Sequence, residues 1–343
     1  MALSYQLRRL AACAGLVIAV SGAFGRARAA DDVSVQLDWV VRGGHAPFFV
    51  ARDKGFFAQN GINVTAIRKG SGTSDALRLV ANGNADFGFG DLPTLITSRA
   101  QGVNDKALIA FNQKTPLAML SIKAKHPLAK PADLKGLNIG VHPSGSTFVF
   151  LKAFLTSNGM SLGDIKQSTV SPPYESFLLM GRVDSVPGYV DAEVPELEAK
   201  AGGAGSLSIL YGGDFGYDAY GSGVFTSDKM IAAKPDVVKR FVKAYLQAFA
   251  YSLDHPKEAV AILVKDNPEY QGKENVLAEQ LGQDIQHTAT SEFTQSQGLG
   301  IITAGQWKKT ADILISQQVL AKDADYNAAF DTSFLLAANP VKR

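Results

Sequence analysis

Five short stretches of this chain carry side chains suited to chemistry. The first is Asp38-Trp39, with Arg42 and His45 close behind. A carboxylate accepts from an amine or an amidine-like edge. An indole offers a flat wall on which a ring can stack, and an imidazole is a tunable donor or acceptor. Arg42 can pair with a carboxylate or a sulfonate. The plainer alternative is that Trp39 is core and His45 a satisfied residue at a helix start. The second and fourth stretches, Gly70-Ser71-Gly72-Thr73-Ser74 and Pro143-Ser144-Gly145-Ser146-Thr147, share one chemistry. Their glycines allow close backbone approach, and a helix start presents free N–H groups. Ser71, Thr73, Ser144, Ser146 and Thr147 are therefore candidate ligand contacts, while capping serves Thr73 or Ser74 equally well. The third stretch, Gly90-Asp91-Leu92-Pro93, places Asp91 either as a cap or toward a cleft. The fifth runs from Gly181 to Glu193 and contains Tyr189, which with Tyr174 is a further candidate wall.

These stretches need a scaffold that brings them together. Val33–Leu37, Ile62–Ile67 and Ala85–Phe89 read as strands, alternating with helices over 46–60, from the Gly70–Ser74 turn through Val80, and from Pro93. The alternation restarts with strands at 138–141, 167–170 and 183–186 and helices at 147–158, 177–182 and 192–200. Helices then follow at 235–253, 256–265, 276–285 and 306–320, with Pro235, Pro256 and Pro268 as punctuation. Short strand–helix alternation argues for an α/β chain with parallel sheets covered on both faces. In such sheets ligands sit outside the carboxyl ends of the strands, which is where all five stretches fall.

The first 30 residues read differently. Arg8-Arg9, the apolar run Leu10–Val20 and Ala27-Arg28-Ala29 form a secretory signal, too short for a membrane span. Its removal takes four arginines from 34 basic residues and leaves 30 against 32 acidic, a net charge near −2. With no long basic run, nucleic acid is not an expected partner. Cys13, the single cysteine, leaves with the leader, so the mature chain folds without disulfides and suits an oxidising compartment. The five histidines, His45, His126, His142, His255 and His287, lack metal-ligand spacing. No G-x-S-x-G elbow, Walker loop or G-x-G-x-x-G follows a strand. No metal, cofactor or catalytic group is expected.

Leu37-Asp38-Trp39, followed by Gly44-His45-Ala46-Pro47-Phe48-Phe49-Val50-Ala51-Arg52-Asp53-Lys54-Gly55-Phe56-Phe57, resembles the first βα unit of bacterial periplasmic solute-binding proteins. Members of that family serve thiamine-pyrimidine precursors, sulfonates, taurine and nitrate. The segment 181–193 is similar to a second pattern of the family, G-(K/R)-V-D-A-V-x-G-x-x-x-x-E. It keeps Gly181, Val183, Asp184, Gly188 and Glu193, with Ser185 for Ala and Asp191 where Asn is usual. Where pyrimidine-precursor relatives often have Pro-Asn before the histidine, this chain reads Val41-Arg42-Gly43-Gly44.

The resemblance implies the type II periplasmic binding fold: two lobes, each a mostly parallel sheet flanked by helices. Lobe 1 would comprise 31–120 plus 222–343 and lobe 2 121–221, with crossovers near 117–123 and 221–226. It implies a monomeric, periplasmic, non-enzymatic component of an ABC importer. Such a component delivers a small molecule to a permease in the inner membrane. It also puts Glu193 in the cleft, facing an aminopyrimidine edge. Asp38, Asp91 and Glu193 converging there would disfavour a bare anion, because unpaired buried carboxylates are costly. An aminopyrimidine thiamine precursor is thus the first expected ligand. An alkanesulfonate, taurine, nitrate or an aromatic carboxylate is the alternative that Arg42 keeps open. A pyrimidine-making enzyme of the same fold is the alternative from another class, and the cysteine-rich motif of that branch is absent here.

Overall fold

The alternating run that begins at Asp31 forms β1 (Asp31–Gln36), and the four residues Val33–Gln36 are buried. The computed structural model of the chain describes residues 29–143, 145–170, 175–338 and 340–343. The expected leader, apart from Ala29 and Ala30, lies outside these residues, as do Ser144 and Tyr174. The remaining strands are β2 (Ile62–Arg68), β3 (Phe87–Asp91), β4 (Asp105–Ala110), β5 (Leu117–Ile122), β6 (Asn138–Val141), β7 (Lys166–Thr169), β8 (Val186–Tyr189), β9 (Leu207–Tyr211) and β10 (Ser222–Ser227).

The first sheet has the order β2-β1-β3-β10-β4. Its strands are parallel except β10, which runs antiparallel to both β3 and β4. In the second half of the molecule β5 lies between β8 and β9, antiparallel to both. β6 pairs with β7 in parallel and touches the chain before β8 through an Ile139–Ser185 bridge. The spatial order is therefore β7-β6-β8-β5-β9, the order of the first sheet repeated. In each half one antiparallel strand, β10 or β5, arrives from the other half. Residues 117–120, set with the first lobe in the sequence reading, pair in the second sheet. The chain thus crosses between the sheets at 111–116 and again at 212–221.

Helix Pro235–Asp254 covers the first sheet with an apolar stripe at helical spacing: Val238, Phe241, Val242, Tyr245 and Phe249 are all buried. Phe241 stacks on Phe57 at 5.1 Å and on Phe87 of β3 at 3.6 Å. The second half has its own core around Leu117, Ile139, Phe150 and Phe154. Local corrections to the expected elements have identifiable causes. The helix expected over 46–60 ends at Asp53, because Gly55 takes a left-handed conformation (φ 75°), and a short turn Phe56–Gln59 follows. The strand expected at 183–186 is displaced to Val186–Tyr189, and Ser185 forms the bridge to Ile139. The helix expected at 276–285 runs from Glu274 to Gln283 and then widens into a π turn, Asp284–Thr288.

Candidate binding site

The carboxyl ends of β1, β6 and β8 and the turn after β2 meet where the two halves face each other. They enclose a cavity of about 30 Å³, room for one or two waters. Its walls are Asp38, Trp39, Arg42, Gly72, Thr73, His142, Gly145, Ser146, Thr147, Tyr189, Ala192 and Glu193. The two glycine-rich helix starts thus face one cavity, from helix Thr73–Ala81 on one side and helix Ser146–Ser157 on the other. Gly72 holds its turn through a 2.7 Å bond from its N–H to the Asp38 carbonyl.

Trp39 is partly exposed and packs from the first half against the apolar cluster of the second, with its ring edge-on to His142 at 6.5 Å. Tyr189 reaches Ser146 Oγ at 2.7 Å. Burial, with Asp91 and Asp38 nearby, pushes its phenol well above the ordinary range, so it stays a neutral donor. The Glu193 carboxylate accepts from the Tyr189 backbone N–H, which ties it to the end of β8.

Behind this wall lies a buried ionic cluster. The Arg42 backbone N–H donates to His45 Nδ1 at 3.3 Å, so the ring proton is on Nε2 and donates to Asp38 Oδ1 at 3.1 Å. Burial lowers the His45 pKa and keeps the ring neutral. Burial alone would raise Asp38, but the His45 hydrogen bond and the Arg42 charge outweigh it and hold the carboxylate below its usual range. Arg42 is 3% exposed. Its guanidinium donates to Asp191 Oδ2 at 2.8 Å across the two halves, lies 3.9 Å from Asp38, and sits over the rings of Phe89 and Tyr189. Asp284 completes the cluster. Its Oδ1 accepts from Asn112 Nδ2 at 2.7 Å and from Thr288 Oγ1 at 3.0 Å. Burial, and then Asp191, push the Asp284 carboxyl well above the ordinary range.

Of the described residues singled out in the sequence, Asp38, Trp39, Arg42, Thr73, Ser146, Thr147, Tyr189 and Glu193 line the cavity. Three do not. Ser71 is exposed, and its hydroxyl donates to Asp75 at 2.9 Å. His45 stands behind Asp38. Asp91 caps helix Leu92–Ala100 through Thr94 N–H at 2.9 Å and Thr94 Oγ1 at 2.6 Å. Burial pushes the Asp91 carboxyl up to about 7. Sequence reasoning passed over His142, which follows β6 much as Asp38 follows β1. It also passed over Gln280 and Asp284, whose distance along the chain hides their proximity.

The two repeated sheets joined at a residue-lined cavity define the periplasmic binding protein fold. The alkanesulfonate-binding protein SsuA of Xanthomonas axonopodis pv. citri, solved with bound MOPS, superposes with a TM-score of 0.68 over 88% of this chain and 98% of that one, at 16% identity. The chain belongs to the NMT1/THI5 like family, which matches residues 43–259. It is similar to the riboflavin-binding protein RibY of Chloroflexus aurantiacus, 26% identical over 88% of this chain and 86% of that protein. It is also similar to the formylaminopyrimidine-binding protein of Halalkalibacterium halodurans, 25% identical over 70% and 72%. Further relatives include a 4-amino-5-hydroxymethyl-2-methylpyrimidine phosphate synthase of Legionella pneumophila, 23% identical over 69% and 74%.

Proposed function

We propose that this chain is the periplasmic solute-binding component of an ABC importer, acting as a monomer after loss of residues 1–30. Its solute is a planar nitrogen heterocycle, first of all an aminopyrimidine of the thiamine-precursor type. The carrying observation is the cavity itself, where Asp38 and Glu193 are set beside the rings of Trp39, Tyr189 and His142. Carboxylates accept from exocyclic amino groups, and aromatic faces stack on the ring. Relatives named for riboflavin and formylaminopyrimidine support the same ligand class.

On this reading the two sheet-bearing halves are lobes that part about the connections at 111–116 and 212–221 and close over the solute. A pyrimidine does not fit about 30 Å³, so capture begins from a more open state. The closed form is what a membrane permease would recognise. The synthase-named relatives represent the alternative class. The single cysteine, Cys13, lies in the leader, so a cysteine-bearing catalytic motif has no residue to build on.

Thermal unfolding against aminopyrimidines, thiamine, riboflavin, taurine, alkanesulfonates, nitrate and aromatic carboxylates tests the reading. A solute at a hundredfold over its Kd adds about 2.7 kcal/mol, a shift of several degrees. Stabilisation by an aminopyrimidine or riboflavin is expected. Stabilisation by sulfonates alone would overturn the ligand class.

A further inference from the structure

The cavity has the parts of an anion site, yet its cation is already engaged. Helix starts at Thr73 and Ser146 bring backbone N–H groups to it, with the hydroxyls of Thr73, Ser146 and Thr147. Among the described residues on its wall, Arg42 alone carries a fixed positive charge. Those groups would hold a sulfonate or a carboxylate if Arg42 were free. Three carboxylates surround it instead. Asp191, 1% exposed, takes Nη1 at 2.8 Å. Asp38 stands 3.9 Å from Nη2, and Asp284 lies beside Asp191.

Asp191 and Asp284 come from opposite halves, and the oxygens they leave without another partner, Asp191 Oδ1 and Asp284 Oδ2, are both buried. One proton held between them would satisfy both. Asp284, raised by burial and by Asp191, is the group that carries it. Asp191 thus takes the Arg42 guanidinium directly, and Asp284 stands beside it as a second acidic group. The other groups facing the pair are Arg42, the Asp38 carboxylate with its neutral partner His45, and the Tyr245 phenol.

We propose that the Asp191–Asp284 pair is the specificity determinant of this cleft: by occupying Arg42 it turns a potential anion site into one that selects a solute carrying no negative charge. This rests on the cavity being the solute site, and it deepens that reading by naming the charge class. It also accounts for the coexistence of helix starts and an arginine with a carboxylate-rich wall.

The test uses n-butanesulfonate and its neutral counterpart n-butanesulfonamide. Isothermal titration would compare the wild-type protein, Asp191→Asn, and the double variant Asp191→Asn/Asp284→Asn. Circular dichroism and thermal unfolding would confirm that each is folded. The wild type is expected to bind the sulfonate no better than millimolar. Asp191→Asn should gain little, because Asp284 remains as the second acidic group. The double variant should bind the sulfonate at least tenfold more tightly, with a matching rise in its preference over the sulfonamide. Adding Arg42→Gln to the double variant should abolish the gain. Micromolar sulfonate binding by the wild type would overturn the proposal, as would a folded double variant with no gain. Wild-type binding of an aminopyrimidine is scored separately. If it is absent while the sulfonate gain appears, the ligand assignment falls and the role of the pair stands.

Discussion

Asp105 opens β4 with both carboxylate oxygens buried and without a hydrogen-bond partner. Burial, reinforced by nearby Asp228 and only partly offset by Arg99, pushes its carboxyl up to about 8. The folded state therefore keeps a proton that the unfolded chain releases from about pH 4 upward. This contribution to stability is complete below pH 4 and is lost as the pH rises toward 8. Asp91, raised to about 7, adds a change of the same sign over a narrower window. Asp105→Asn should leave the melting temperature near that of wild type at pH 4. At pH 9 it should stabilise the protein by about 1–3 kcal/mol, the usual cost of an unsatisfied buried polar group. A variant less stable than wild type at pH 9 would show that Asp105 is solvated. The chemistry of single residues was partly legible beforehand. Asp38, Trp39, Thr73, Ser146 and Tyr189 line the cavity because strand ends in an open α/β sheet all point one way. Ser71 was not separable from Thr73 by type, since two residues of displacement along the turn decide which hydroxyl faces inward. Asp191 stood out only as a departure from a family pattern. Its partners are 149 positions upstream and 93 downstream, beyond the reach of any local spacing argument.

Arg42 is held in place by the elements around it, chiefly the short 3-10 turn Gly43–His45 wedged against helix Glu274–Gln283. A Cβ on Gly43 would lie 2.5 Å from the Leu277 carbonyl oxygen and 2.5 Å from the Leu281 nitrogen. Both are backbone atoms of a regular helix and cannot turn aside. Gly43→Ala should therefore cost about 1–3 kcal/mol, as overpacking does. It should lower the melting temperature by several degrees and weaken solute binding, because the turn carries Arg42 and His45. An unchanged melting temperature would mean that the helix can shift by an ångström. The π turn that follows this helix carries Asp284, which lies beside Asp191, and such turns are frequent at functional sites. Helices were legible where apolar periodicity was long and bounded by proline, as over 235–254 and 256–266. The π turn left no trace in periodicity, since Asp284, Gln286 and His287 look like an exposed helix end. The break at Gly55 was missed because a single glycine amid four phenylalanines does not interrupt the apolar pattern.

Across the whole molecule, the same strand order occurs twice without a visible residue repeat, because topology depends on alternation and connection lengths rather than on particular side chains. Among the described residues, the polar contacts that hold the two halves face to face include Arg42 with Asp191, Gln317 Nε2, which donates to Ser157 Oγ at 2.9 Å, and Gln280 Nε2, which donates to the Ala192 carbonyl at 2.7 Å. Trp39 adds apolar contact with the Val170–Val186 cluster. Gln280 is itself fixed from the first half by the Gly43 N–H, which donates to its Oε1 at 3.0 Å. Opening the cleft would expose the Ala192 carbonyl to water, so its bond to Gln280 favours the closed state without being needed in the open one. Gln280→Ala leaves that carbonyl unsatisfied only on closure and should shift the balance toward opening by about 1 kcal/mol. Solute then escapes faster. The Kd should rise roughly fivefold, almost entirely through koff, with kon little changed. Stopped-flow binding with the tightest solute from the thermal panel reads both rates. A slower kon with unchanged koff would place the effect in encounter rather than closure, and the halves would then not work as a hinged pair.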